Sequence, residues 1–115
     1  MRRRQFEREV RSALWEVPSE WAGLLAEVPI LVADEPDAAD AADGEVFGLF
    51  EGASRAERNA GFGLDPPRIT IYRGPLERAF PTRSRLRREI RRTVIHEIAH
   101  YIGAEEADMT RFGLD

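Results

Sequence analysis

The stretch His96-Glu97-Ile98-Ala99-His100, followed by Gly103 and Glu106, decides how this sequence is interpreted. The two histidines stand four residues apart, so on an α-helix their side chains lie on one face, one turn above each other. Both imidazoles can then reach one Zn²⁺ ion, with Glu97 beside them and directed at a water on that ion. Taken singly, each histidine would more often have a structural role, but the pair around Glu97 favours a metal site.

An apolar residue at every fourth position predicts a long helix that carries this motif in its last two turns. The series consists of Leu86, Ile90, Val94, Ile98 and Ile102. Thr82 or Ser84 can cap the start of the helix, because a side-chain oxygen there can accept a hydrogen bond from a free backbone N–H. Gly103 suits the C-terminal cap. The histidines lie beside the apolar stripe and not opposite it.

Short helices and strands are predicted around this long helix. Hydrophobic periodicity predicts helices over residues 3–16, 18–25 and about 105–112, and strands over Val28–Val32, Val46–Phe50 and Arg68–Tyr72. The acidic stretch 34–45 reads as a surface loop, and residues 57–65 read as irregular. Gly74-Pro75 is expected to form a turn after the third strand.

Length and composition predict one soluble domain over residues 1–115. No apolar run is long enough to span a membrane, and Met1 to Glu7 has basic residues without the apolar segment of a secretory signal. A cytoplasmic location is therefore expected. The chain has no cysteine, which excludes disulfides and cysteine–zinc sites. The net charge of −4 argues against a nucleic-acid partner.

Charge is unevenly distributed along the chain. All of the basic residues are arginine, and six of them lie between Arg83 and Arg92, against one acid. We interpret this run as the exposed side of the long helix, since no aromatic residues are interleaved with it as in a nucleic-acid site.

A catalytic zinc site needs three protein ligands and one open position. His96 and His100 supply two, and without further histidine or cysteine the third has to be a carboxylate. Gly103 can turn the chain back toward the metal, which favours Glu106, with Glu105 and Asp108 as near alternatives. Glu97 would act as general base on a metal-activated water and pass the proton to the leaving amine. The implied reaction is hydrolysis of an amide without a covalent intermediate.

At these residues the sequence resembles the zincin-like metallopeptidases, in particular the small bacterial single-domain group known as minimal zincins. The resemblance also covers the N-terminal helix and the segments Phe47–Gly52, Arg68–Arg73 and Arg91–His100. The pattern of that group is H-E-x-x-H-x-x-G-x-x-D. Glu106 stands where the group has aspartate, so the loop after Gly103 would have to shift to place its longer carboxylate.

The resemblance implies an α+β fold in which a small mixed sheet packs on the motif helix, and a zinc-dependent peptidase acting on a peptide or protein. In zincins an edge strand above the cleft pairs with an extended peptide. The residues here that match such a substrate-binding strand are Val46, Phe47, Gly48, Leu49 and Phe50.

Other readings of the sequence stay open. The small size of the chain leaves few residues for specificity pockets, which would also suit a non-catalytic zincin-fold module that binds a peptide or partner with weak or no metal occupancy. A nuclease-like or regulatory protein that uses the arginine face is a third alternative. A homodimer is an open alternative as well, because the sequence does not determine the oligomeric state.

Overall fold

The computed structural model describes residues 1–23, 25–61 and 65–103. In chain order the elements are α1 (Arg3–Ala13), α2 (Ser19–Ala22), β1 (Ile30–Ala33), β2 (Gly48–Glu51), α3 (Arg55–Asn59), β3 (Arg68–Tyr72), α4 (Arg73–Ala79) and α5 (Arg83–Ile102). Two 3₁₀ turns, Leu14–Glu16 and Leu25–Glu27, follow α1 and α2. Helices and a small sheet together confirm the predicted α+β class.

The sheet has the strand order β1-β3-β2, with β1 parallel and β2 antiparallel to β3. The central strand β3 is buried from Ile69 to Tyr72, whereas the edge strand β2 is half-buried throughout. Residues on both faces of β3 are buried, and β-branched residues such as Ile69, Thr70 and Ile71 favour a strand at such a position. The strand has the predicted bounds, Arg68–Tyr72. The other two strands start two residues later than predicted, at Ile30 and Gly48.

The motif helix α5 packs against α1 on one side and the sheet on the other. The apolar series behaves as predicted, because Leu86, Ile90, Val94 and Ile98 are all buried. Helix α1 contributes Phe6, Val10 and Ala13, which recur at helical spacing on its own buried face. The core therefore lies between α1, α5 and β3.

Both ends of α5 lie where the sequence predicts them. Thr82 is the N-terminal cap residue, although its side chain makes no capping hydrogen bond. At the other end Gly103 has φ 84°, and its N–H donates to the carbonyl of Ala99 at 2.8 Å. A residue with a β-carbon is strained in this left-handed conformation, so glycine ends the helix at low cost.

Two short helices correct the expectations from the sequence. Residues 57–65 were expected to be irregular, but α3 begins at Arg55, where a capping box forms. The N–H of Glu57 donates to Ser54 Oγ, and the N–H of Ser54 donates to a carboxylate oxygen of Glu57, both at 3.2 Å. The expected turn at Gly74-Pro75 is wrong as well, since β3 runs directly into α4. Pro75 is tolerated in the first turn of a helix, where its missing N–H would have no partner.

The arginine run of α5 is exposed, as expected for the solvent side of the helix. Arg87 lies 3.0 Å from a carboxylate oxygen of Glu9, and Arg91 lies 3.1 Å from one of Glu16. The loop at 34–45 contains turns and bends and neither helix nor strand, as predicted. None of the helices in the described ranges has the length and apolar character needed to cross a lipid bilayer.

Candidate metal and peptide site

The last two turns of α5 place two imidazoles next to each other on the surface. His96 and His100 are both exposed, and their ring centroids lie 5.4 Å apart in an edge-to-face arrangement. Neighbouring residues of the same turns, Ile95, Ile98 and Ala99, are buried in the core. Because the buried stripe holds the helix against the sheet, the histidines are directed outward and are available to a ligand.

Glu97 belongs to the same turns of α5 but, unlike the two histidines, it is buried, with 9% of its surface exposed. Its side chain runs under the edge strand, because a β-carbon built on Gly48 would lie only 3.0 Å from Glu97 Cγ. Its Oε2 atom lies 3.4 Å from Nδ1 of His100. A shielded carboxylate thus stands beside two exposed imidazoles.

A cleft of about 410 Å³ opens between β2, the residues just before it and α5. One wall is the segment Glu45–Gly48, and the other is formed by Glu89, Arg92, Thr93, His96 and Glu97. The cleft therefore contains one motif histidine and the motif glutamate, and it borders the first residue of β2.

The five residues matched to a substrate-binding strand divide into two groups. Val46, Phe47 and Gly48 line the cleft. Leu49 and Phe50 do not, and the ring of Phe50 packs on that of Tyr101 with centroids 5.8 Å apart. The part of the segment nearest the motif is thus its first half.

The sequence matches the model of a known protein family. The model that describes zincin-like metallopeptidases matches residues 25–114, which is most of the chain. The chain belongs to the zincin-like metallopeptidases. No match was found among curated proteins.

Membership of the zincin-like metallopeptidases implies peptidase chemistry on peptides or proteins, and it implies a metal, usually zinc. The side chains of His96 and His100 suit that metal, because imidazole nitrogens bind Zn²⁺ well and both rings are exposed. In the described part of this zincin-like chain, no cluster of three histidine or acidic side chains could hold a metal ion. The predicted third ligand Glu106 and its alternatives Glu105 and Asp108 lie outside the described residues.

Sequence reasoning missed four residues that line the cleft of this zincin-like chain, namely Glu45, Glu89, Arg92 and Thr93. Three of them precede His96 by helical spacings of three, four and seven residues, so helical periodicity was a usable signal. Glu89 accepts a 2.7 Å hydrogen bond from Oγ1 of Thr93 at its carbonyl, and its carboxylate lies 3.3 Å from Arg92. Only Glu45 could not be found in this way.

Glu45, which lines the cleft, forms an ion pair with Arg78 of α4. Arg78 donates to Glu45 at 3.1 Å and also binds Glu35. Their hydrogen bonds lower the pKa of Glu35 and raise the pKa of the Arg78 guanidinium. These side chains are exposed by more than half, so the pairs contribute little to stability. They do tie both ends of the acidic loop to α4.

Proposed function

We propose that this zincin-like chain is a zinc-dependent metallopeptidase that hydrolyses peptide bonds, with Glu97 as general base. The observation that carries the proposal is the position of Glu97. Its side chain is shielded from solvent and lines the cleft, and its Oε2 atom lies 3.4 Å from Nδ1 of His100. A general base must lie within reach of the proton that it takes from the attacking water.

The proposed ligands are His96, His100 and Glu106. Zn²⁺ held there would polarise the substrate carbonyl and lower the pKa of a bound water toward neutrality. The carboxylate of Glu97 takes the proton of the attacking water and delivers it to the leaving amine nitrogen. Because water is the nucleophile, no covalent bond forms between protein and substrate.

The proposed substrate is an extended peptide that lies along the free edge of β2. In the described sheet, β2 pairs with β3 alone, so its other edge has backbone groups available to a peptide. Val46, Phe47 and Gly48 would carry this pairing where the segment borders the cleft. A single domain over residues 1–115 and a cytoplasmic location remain predictions from the sequence.

Metal analysis combined with a peptidase assay tests the proposed function. Protein purified without chelators and without a histidine tag should contain about one zinc per chain. It should cleave unstructured peptides, lose this activity on chelation and regain it when zinc is restored. Peptide binding without cleavage in the zinc-loaded protein would instead support the non-catalytic module.

A further inference from the structure

Gly48 is the first residue of β2, and its backbone does not require glycine. The described glycines with positive φ are Gly44, Gly52, Gly61 and Gly103, and Gly48 is not among them. It lies in an ordinary strand ladder opposite Ile71. An alanine could adopt this backbone without strain, so the reason for glycine must be space.

The space that a side chain at position 48 would need is occupied by the motif helix. A β-carbon there would lie 2.8 Å from Cγ2 of Thr93 and 3.0 Å from Cγ of Glu97. Both distances are shorter than van der Waals contact between carbon atoms. A methyl group at this position must therefore displace Thr93, Glu97 or the strand itself.

Of these three, Glu97 has the greatest freedom to move. Thr93 is β-branched, and its hydroxyl is bonded to the carbonyl of Glu89 at 2.7 Å, which holds its rotamer. The strand is held by its ladder with β3. Glu97 has a longer, unbranched side chain, and its carboxylate makes a long contact of 3.4 Å with His100.

We propose that Gly48 is a positioning residue for Glu97, which rests on the proposed role of Glu97 as general base. The missing side chain at position 48 leaves the room in which the Glu97 Cγ methylene lies, so that the carboxylate stays beside His100 at the border of the cleft. This role is separate from the proposed backbone pairing of residue 48 with a peptide, because it acts through the direction of the Glu97 side chain.

Gly48→Ala is the primary test, measured as hydrolysis kinetics of the zinc-loaded protein. We expect kcat to fall about tenfold to a hundredfold, because a shift of about 1 Å in a reacting group has effects of this size. KM and zinc affinity should change less than about threefold, since the alanine methyl points at the helix and not at the free strand edge. Gly23→Ala is the matched control, because nothing lies within 4 Å of its added β-carbon and its φ is not positive. It should leave kcat unchanged.

Gly48→Ala/Thr93→Ser separates positioning from packing. Serine keeps the hydroxyl that bonds Glu89 and removes the methyl at 2.8 Å, so the unfolding midpoint lost in Gly48→Ala should recover. The contact with Glu97 at 3.0 Å remains, so kcat should stay low. Recovery of kcat together with stability would overturn the proposal and leave Gly48 as a packing residue.

A carbon NMR measurement tests the same idea without any activity. The Glu97 carboxyl resonance, assigned by its loss in Glu97→Gln, should move in Gly48→Ala and in the double variant and should stay in place in Gly23→Ala. If wild-type protein cleaves nothing, the proposed function fails, but a moved resonance still supports positioning. An unmoved Glu97 resonance in Gly48→Ala overturns the positioning role even in an active enzyme.

Discussion

The hydroxyl of Tyr101 donates a 2.6 Å hydrogen bond to Oε2 of Glu27, a residue 74 positions earlier in the chain. Tyr101 follows His100 directly and is fully buried. Its bond therefore ties the last turn of the motif helix to the 3₁₀ turn Leu25–Glu27. This hydrogen bond therefore helps to hold the end of the helix that carries His96 and His100.

Tyr101→Phe should destabilise the protein while keeping the ring contact with Phe50. A hydrogen bond to a charged acceptor contributes roughly 1.5–3 kcal/mol, so the free energy of unfolding should fall by about that much. Urea denaturation measures the loss. Trp15→Phe, at a side chain that is 90% exposed, serves as the aromatic control and should have little effect. Equal stability of Tyr101→Phe and wild type would show that the bond contributes nothing.

Zinc should bind at one site that depends on both histidines. Calorimetric titration of zinc into metal-free protein should give one ion per chain. His96→Ala or His100→Ala should abolish binding, because each removes one of the three proposed protein ligands. Both side chains are exposed, so neither change should alter unfolding of the metal-free protein by more than about 0.5 kcal/mol. Undiminished zinc binding by the two variants would contradict a site at this pair.

Glu97→Gln should keep zinc and lose hydrolysis. Glutamine preserves the size of the side chain under Gly48 but cannot accept the proton of the attacking water. Zinc titration and peptide cleavage are measured on the same preparation. Glu16→Gln, which alters a carboxylate paired with Arg91 outside the cleft, is the charge control and should retain activity. Loss of zinc in Glu97→Gln would make Glu97 a ligand and not a base.

Glu106→Ala should weaken zinc binding by several kcal/mol, because it removes one of three protein ligands. Glu105→Ala and Asp108→Ala are matched controls on the same segment and should have small effects. Glu106→Asp should preserve or improve affinity if the loop can take the geometry of the minimal zincins. Should Asp108→Ala be the damaging change, the chain returns to the metal later than proposed. If none of the three matters, the non-catalytic reading is the better one.

Alkaline pH should destabilise the protein through Tyr72. Burial raises the pKa of the Tyr72 hydroxyl above its usual value of 10.0. The folded state then holds this proton more tightly than the unfolded state, so the stabilisation is complete below pH 10 and is lost as pH rises through the folded pKa. The chain has neither lysine nor cysteine, so few other groups titrate there. Unfolding measured from pH 9 to 11 should show a smaller decrease for Tyr72→Phe than for wild type.

Regular periodicity made the largest elements predictable. Helix α5 and strand β3 have their predicted bounds within a residue, because a long apolar stripe and a buried β-branched run each allow one structure. Helix α3 was missed although its capping box, Ser54 with Glu57, is present in the sequence. Helix α4 was missed because Gly74-Pro75 is compatible with both a turn and a first helical turn, and only the packing of α4 against α5 selects the helix.

The sequence by itself determined that His96 and His100 lie next to each other with Glu97 in the same turn. This is local geometry, since residues four apart on a helix are always neighbours. The tertiary structure decided which of the three is shielded. Glu97 can lie buried under β2 because the strand has no side chain at Gly48, and the cleft forms where residues 45–48 lie opposite residues 89–97 of α5. Such contacts join segments distant in sequence, and they depend on the sheet register and on which helix face packs inward, which no local pattern specifies.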